Sequence, residues 1–342
     1  MGWRIFQIAL SLLILLTAGC QRDQGPPIWR FAIEETRGSV QDAYAQKFAK
    51  LIEEKSGGQV VVKVYPYGTL GTSDQLSELL YNGSLQFAMA SPGHIGKMIP
   101  EVQVLLLHYV FSDSEEVNRR VLNSPEVKGE FDALFAEKGF KVLSVFSEGW
   151  QVWSANKPIK KPEDFEGVKF RVMTSPLLME AYEAYGASST PLAYSEVYSA
   201  LQLKMIDGQV NPVFAIEEMS FFEVNDHLIF ANHAKFYTTC LTNKKFYEKL
   251  TPQEKQWVDE SIEELYEYID QTQTEFNEQR LDEILKKNSD VKIVRLTPEE
   301  RAVFREASVP VRTRFEELSG PRGAELLETI LQKVQAEESK EK

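Results

Sequence analysis

Arg171 stands in Lys169-Phe170-Arg171-Val172, a guanidinium between apolar neighbours on a stretch, residues 168–173, that alternates as a strand does. An arginine in such a place is almost never fully buried unless something anionic meets it. The partner is either a carboxylate of the chain, with Glu183 and Glu217 as candidates, or a ligand. We favour the ligand, because a guanidinium fork fits a carboxylate bidentately. The other candidates lie at turns and strand ends. Asn211 precedes Pro212 after Asp207-Gly208-Gln209, a turn signal that also presents an amide. Glu34 and Ser91 each follow a predicted strand, and Trp150, Gln151 and Trp153 leave another.

Enzyme chemistry finds little to work with. The four histidines, His94, His108, His227 and His233, form no His-x-x-x-His and no cysteine–histidine cluster of the kind zinc needs. No Gly-x-Ser-x-Gly elbow and no phosphate-cradling glycine loop is present. The carboxylate pairs Glu34-Glu35 and Glu217-Glu218 are adjacent in sequence and so point apart on regular elements. We therefore expect a binding protein with no catalytic residue, no metal and no cofactor. A net charge of −13 argues against nucleic acid, which needs a basic face. It does not argue against a small anion, since a local arginine outweighs a distant, screened field.

The elements that must position these groups follow an alternating order. At 342 residues, with 43% hydrophobic and 26% charged side chains, the chain suits two globular domains. Residues 28–33, 60–65 and 85–90 read as strands, with helices at 41–56 and 76–80 between them. This order points to an open α/β sheet, and ligands there bind outside the carboxyl ends of the strands. A helical pattern fills 117–138 and a strand 141–146. Trp150 and Trp153 suit a chain crossing between domains, where aromatics with a polar handle are common. Residues 229–230 and 236–242 read as strands returning to the first domain. Thr251-Pro252-Gln253-Glu254 is a strong helix start, and no Gly or Pro interrupts the pattern up to Lys287. Such a helix is roughly 50 Å long, enough to brace two lobes. Thr297-Pro298 opens a terminal helical region that Gly320-Pro321 divides.

The N-terminus reads as an export signal. Arg4 and a short apolar run lead to Leu16-Thr17-Ala18-Gly19-Cys20. This resembles a bacterial lipoprotein signal that leaves Cys20 as a lipidated N-terminus. Cys240 then stands alone and is expected to be a small buried core residue.

Taken together, Tyr65-Pro66, Leu70-Gly71, Asn82-Gly83-Ser84-Leu85-Gln86-Phe87, Lys157-Pro158-Ile159, Pro162-Glu163-Asp164 with Gly167, Lys169-Phe170-Arg171-Val172, Pro191-Leu192-Ala193-Tyr194-Ser195-Glu196 and Asp207-Gly208-Gln209 with Asn211-Pro212 resemble one family. It is that of the solute-binding proteins of tripartite ATP-independent periplasmic (TRAP) transporters. The resemblance implies a two-lobed α/β fold with a long helix crossing both lobes. It implies residues 1–19 as signal, 20–27 as tether, 28–148 with 237–276 as one lobe, 149–236 with 277–336 as the other, and 337–342 as a frayed tail. It further implies a periplasmic, lipid-anchored protein of a Gram-negative bacterium, monomer or homodimer, that delivers a small organic acid to membrane permease subunits. A sensor co-receptor on the same fold is the other role.

In such a family Arg171 grips the substrate carboxylate, Asn211 gives a polar contact, Tyr194 forms an aromatic wall, and Glu34 and Ser91 line the cleft. Many sialic-acid, uronate and dicarboxylate receptors carry a second arginine in a Gly-x-Arg pattern. That place reads Gly149-Trp150-Gln151 in this chain. The loss favours a monocarboxylate with an apolar or aromatic body, a hydroxy or keto acid for example, over a C4-dicarboxylate or sugar acid. Glu34, able to receive an ammonium, adds an aromatic amino acid to the candidates.

Overall fold

The computed structural model describes residues 25–341; the expected signal segment, Cys20 and most of the expected tether lie outside them. The chain begins β1 (Ile28–Ala32), α1 (Val40–Ser56), β2 (Val61–Tyr65), α2 (Ser73–Tyr81), β3 (Phe87–Ala90) and α3 (Pro92–Ile95). Ser39 starts α1 by accepting the Asp42 N–H, and Gly57, in the left-handed region at φ 60°, stops it. A 3-10 turn (Pro100–Leu106), α4 (Glu115–Leu122), α5 (Pro125–Glu137) and β4 (Phe140–Trp150) complete the first pass. The single helical pattern expected over 117–138 is two helices, because Ser124-Pro125 caps a new one.

The second pass holds β5 (Val152–Ala155), β6 (Lys169–Val172), α6 (Pro176–Glu183), β7 (Ser188–Pro191), α7 (Val197–Gln202), β8 (Gly208–Asn211), α8 (Val213–Glu218) and β9 (His227–Phe230). Then β10 (Lys235–Asn243), α9 (Lys244–Lys249), α10 (Pro252–Lys287), β11 (Lys292–Arg295) and α11 (Pro298–Lys340) follow. Two sheets result, ordered β2-β1-β3-β10-β4 and β11-β9-β5-β8-β6-β7. Each is the floor of one lobe. Only β10 of the two returning strands joins the first sheet; β9 stays in the second, between β11 and β5. Register decides this, since Trp153, Ser154 and Ala155 of β5 pair with Ile229, Leu228 and His227.

The chain crosses between sheets at Gln151 and again between β9 and β10. The Gln151 N–H donates to the Ala234 carbonyl at 2.9 Å and holds the two crossings side by side. Gly149 sits there at φ 112°, and a Cβ on it would come within 2.4 Å of the Asn277 amide of α10. That amide donates to the Glu148 carbonyl at 2.9 Å, so only glycine lets the long helix lie against the crossing.

α10 has 36 residues and a capping box at Thr251 and Glu254. Val258, Ile262, Leu265 and Ile269 pack into the first lobe's core with Phe48, Leu143 and Phe146. Ile284, four turns on, packs with Phe222 and Leu228 of the second. One helix thus belongs to two cores. α11 also reaches both lobes. Before its kink at Gly320 (φ 69°) it pairs Arg314 with Glu180 of α6 at 2.8 Å. After it, Arg322 and Lys333 pair with Glu137 and Glu126 of α5, at 2.7 and 2.8 Å. Its sequence position suggested the second lobe alone. Nor does the chain fray after Ala336: it stays helical to Lys340, with Arg120 bonded to Glu337 and Glu341, both at 2.8 Å.

Trp153, expected at the site, lies in the core instead. It is 0% exposed, stacked among Phe165, Phe304 and His233, and its indole N–H meets the Tyr182 hydroxyl at 3.0 Å and His233 Nε2 at 3.1 Å. Its residue type, large and amphipathic, serves a buried polar network as well as it serves a wet surface. Trp153→Phe removes that N–H and leaves Tyr182 and His233 bonded only to each other, at 3.0 Å, so we expect a loss of roughly 1–3 kcal/mol in denaturant unfolding, with ligand affinity unchanged.

Candidate functional site

Arg171 projects from β6, one residue before its end, and is 2% exposed. Its Nε and Nη2 donate to the Leu192 carbonyl at 3.1 and 2.8 Å, just past the neighbouring strand β7. Those two bonds fix the plane of the guanidinium. Neither Glu183 nor Glu217 pairs with it. Glu217 is taken by Arg280 at 3.1 Å and by Lys287 at 2.5 Å. Among the described residues Arg171 has no ion pair, and its Nη1 has no hydrogen-bond partner. Burial pushes its pKa down to about 10, with Tyr194, Tyr67 and Glu196 pulling weakly the other way. A buried cation without a counter-charge costs several kcal/mol, and a carboxylate from outside would relieve it.

The cavity beside it is about 30 Å³, lined by Arg171, Asn211 and Tyr194 from the second lobe and by Glu34, Glu35 and Ser91 from the first. A second void of about 20 Å³, beyond Met173 and Phe236, adjoins it and contains Gln151. A water needs about 10–15 Å³ of such volume, so both hold a few waters at most. A ligand with several heavy atoms enters only when the lobes part. The cleft is closed.

The structure brings together five of the residues expected from sequence. Asn211 ends β8 and is 8% exposed; its amide is held by Gln209, whose own Nε2 donates to Ser154 Oγ at 3.0 Å. Tyr194 packs edge-on to Tyr67 of the other lobe, ring centroids 5.9 Å apart, and makes a wall. Glu34 leaves β1, and its Oε2 accepts the Ser91 N–H at 2.7 Å. Its Oε1 is buried with no partner. Desolvation raises its pKa, opposed by His94 and by Ser91.

Three expected contacts are placed elsewhere or partly so. Gln151 reaches only the adjoining void, where its Oε1 is buried without a partner. Trp150 lies behind the crossing in a separate groove with Gln273 and Asn277, and Lys235 Nζ sits 4.5 Å from its ring centroid. The strand turns there, so neighbours in sequence face opposite sides. Trp153 is core.

Sequence reasoning missed Glu35, Gln41 and Glu148. Gln41, in the first turn of α1, accepts the Glu34 N–H at 2.8 Å and donates to Glu148 at 3.0 Å. Glu35 and Glu148 are both buried and face each other. Burial raises the pKa of both; the facing Glu148 raises Glu35 further, opposed by Gln41 and Ser39. One signal was present: Glu35 shares the strand-end loop with Glu34. Glu148 lies over a hundred positions away and carried none.

The fold and this cleft define a class: a two-lobed α/β protein with a closed cleft between its lobes and a buried guanidinium facing it. Comparison with known proteins gives it a family. The profile of bacterial extracellular solute-binding protein, family 7 (DctP) matches residues 31–318. The chain is 38% identical over 312 residues to the ectoine-binding periplasmic protein TeaA of Halomonas elongata, covering 91% of each. It is 37% identical over 303 residues to the ectoine/5-hydroxyectoine-binding protein UehA of Ruegeria pomeroyi, covering 88% of this chain and 89% of that one. An open, ligand-free TRAP solute-binding protein from Marinobacter aquaeolei superposes with a TM-score of 0.84 at 43% identity, over 89% of this chain and 99% of that one. The chain belongs to this family of TRAP-transporter substrate-binding proteins. Among the described residues no helix is long and apolar enough to cross a membrane.

The buried Glu35–Glu148 pair gives a pH prediction. Unfolded, both ionise near the ordinary range of about 4.3. Folded, both hold protons to higher pH, so stability is complete below that range and is lost as pH rises through the raised values. We expect the melting temperature to fall between pH 5 and pH 8. Glu148→Gln should flatten that profile and add on the order of 1–3 kcal/mol at pH 8 by denaturant titration.

Proposed function

We propose that this chain is the extracytoplasmic receptor of a TRAP-type ion-coupled permease, and that its ligand is a small monocarboxylate carrying a cationic nitrogen, as ectoine and 5-hydroxyectoine do. The observation that carries the reading is a pair of unanswered charges in one cavity. Arg171 has no carboxylate partner among the described residues, and Glu34 offers a buried oxygen with none. Ectoine presents both complements: a carboxylate on a ring whose amidinium is a delocalised cation. Tyr194 and Phe236 supply flat apolar faces for such a ring, with Tyr67 packed edge-on behind Tyr194. The relatives named for ectoine binding, at 38% and 37% identity, support the same reading.

An aromatic amino acid has the same two charges and is the second reading. A C4-dicarboxylate or sugar acid is disfavoured, because Gln151 stands where a second arginine would and Glu34 would repel a dianion. On this reading the ligand leaves chemically unchanged, in keeping with relatives named as binding proteins.

Titration calorimetry with ectoine, 5-hydroxyectoine, phenylalanine, succinate and galactonate checks the assignment. We expect the ectoines to bind tightest; succinate binding more tightly than any zwitterion overturns it. Arg171→Ala should weaken the best ligand by at least about 100-fold, a loss of about 3 kcal/mol. The melting temperature of its ligand-free form should shift by only a few degrees.

We also read Cys20 as the lipid-modified end of the mature chain in the periplasm. Cys20→Ser should move the protein from the membrane fraction to the soluble one after cell lysis. An unchanged distribution would count against the anchor and leave the ligand assignment standing.

A further inference from the structure

The loop that holds Glu34 runs on through Glu35 to Thr36, and Thr36 reaches the other lobe. Its N–H donates to Glu218 Oε1 at 3.1 Å, and its hydroxyl meets the same oxygen. Glu218 is the last residue of α8 and stands on the second lobe. Other contacts span the cleft, among them Lys97 Nζ to Thr174 Oγ1 at 3.2 Å and Tyr67 O–H to Ser195 Oγ at 3.4 Å. The Thr36 contact belongs to the loop whose Glu34 and Glu35 line the ligand cavity.

The surroundings of Glu218 are acidic. Glu35, from the loop after β1, and Glu148, from β4, both belong to the first lobe and face each other within it. Glu217 flanks Glu218 on its own helix, and Tyr194 faces it within the second lobe. The cation nearby is Arg280 of α10, already bonded to Glu217 at 3.1 Å and Glu283 at 3.0 Å. Parting the lobes would return Glu218 to solvent. Closing them brings it to the lobe I carboxyls; Lys287 is taken by Glu217, and Arg171, the cation without an ion pair, bonds the Leu192 carbonyl across the ligand cavity.

We propose that Thr36 and Glu218 form the latch that holds the lobes together over the ligand, and that engaging it draws a proton from solvent, because closure carries one more carboxyl up to Glu35 and Glu148. This goes beyond the ligand assignment and uses it only for a probe. A protonated Glu218 still offers its carbonyl oxygen to both Thr36 donors. Burial first, then the negative field of Glu35, pushes the Glu218 carboxyl up to about 8 in the closed cleft. A carboxyl in solvent sits near about 4.3. Below that range Glu218 is protonated in both forms and pH has no effect through it. Between it and about 8 closure takes up a proton, and affinity falls as pH rises, by up to about tenfold per unit. Above, the latch closes ionised and affinity levels off at its weakest.

Calorimetric titration with ectoine at pH 7, in two buffers of different ionisation enthalpy, reads the proton directly. We expect uptake approaching one proton per ligand, and a dissociation constant that weakens about tenfold or more from pH 6 to pH 8. Glu218→Gln keeps the accepting oxygen and cannot titrate, so both effects should vanish while binding persists. Ectoine bound with no proton uptake, or wild-type uptake surviving in Glu218→Gln, overturns the latch and leaves the ligand assignment intact. If ectoine does not bind, that assignment fails alone, and small-angle scattering of the ligand-free chain decides the latch. The compact form should then be more populated at pH 6 than at pH 9 in the wild type and indifferent to pH in Glu218→Gln. Compactness indifferent to pH in the wild type overturns it.

Discussion

A guanidinium held out of water without its counter-ion is the constraint on which the cleft depends. Arg171 is almost fully buried, yet its only bonds among the described residues go to the Leu192 carbonyl. A neutral carbonyl orients a cation but does not neutralise it. The closed form therefore carries an electrostatic cost that a carboxylate ligand would cancel, and on the proposed reading this ties capture to closure. Bidentate geometry adds direction: a ligand that puts its acid group anywhere else gains little. Such a pair selects orientation and partner more than raw strength.

The first lobe answers with the opposite problem. Glu34, Glu35 and Glu148 are buried within a few residues of the cavity, tied together by Gln41, which bonds both Glu34 and Glu148. One lobe thus carries a surplus positive charge to the cleft and the other a surplus negative one. Molecules with both signs at the right separation satisfy the two walls at once. Singly charged ones leave a wall unanswered. The net charge of −13 over the whole chain says nothing of this, because it averages over walls that the ligand meets separately.

Much of this was legible in the sequence. Strand alternation around Arg171, helix starts at Thr251 and Thr297, the breaker at Gly320-Pro321 and the strand-end positions of Glu34 and Ser91 are local signals, and local rules read them. Asn211 and Tyr194 came with motifs of the family. What escaped were long-range meetings. Glu148 reaches the site only because β4 lies where Gln41 can bond it, and no local pattern encodes a partner 107 residues away. The two tryptophans misled for a related reason. Trp150 and Trp153 flank a crossing as expected, but which face each presents depends on the turn at Gly149 and on the Gln151 bond to Ala234. The terminal helix was assigned to one lobe by position in the chain, whereas its ion pairs reach α5 and α6, elements of different lobes.

The long helix α10 has its apolar residues in two separate cores and its Asn277 amide on the crossing strand. It cannot stay straight and fully packed at both ends while the lobes swing apart. A parting of the lobes would load it like a leaf spring, and that load would add to or subtract from the intrinsic hold on a ligand. Retention time on the receptor is then set partly at residues some distance from the bound molecule. Substitutions along that helix, far from the recognition chemistry, would then change how firmly the cleft holds what it encloses.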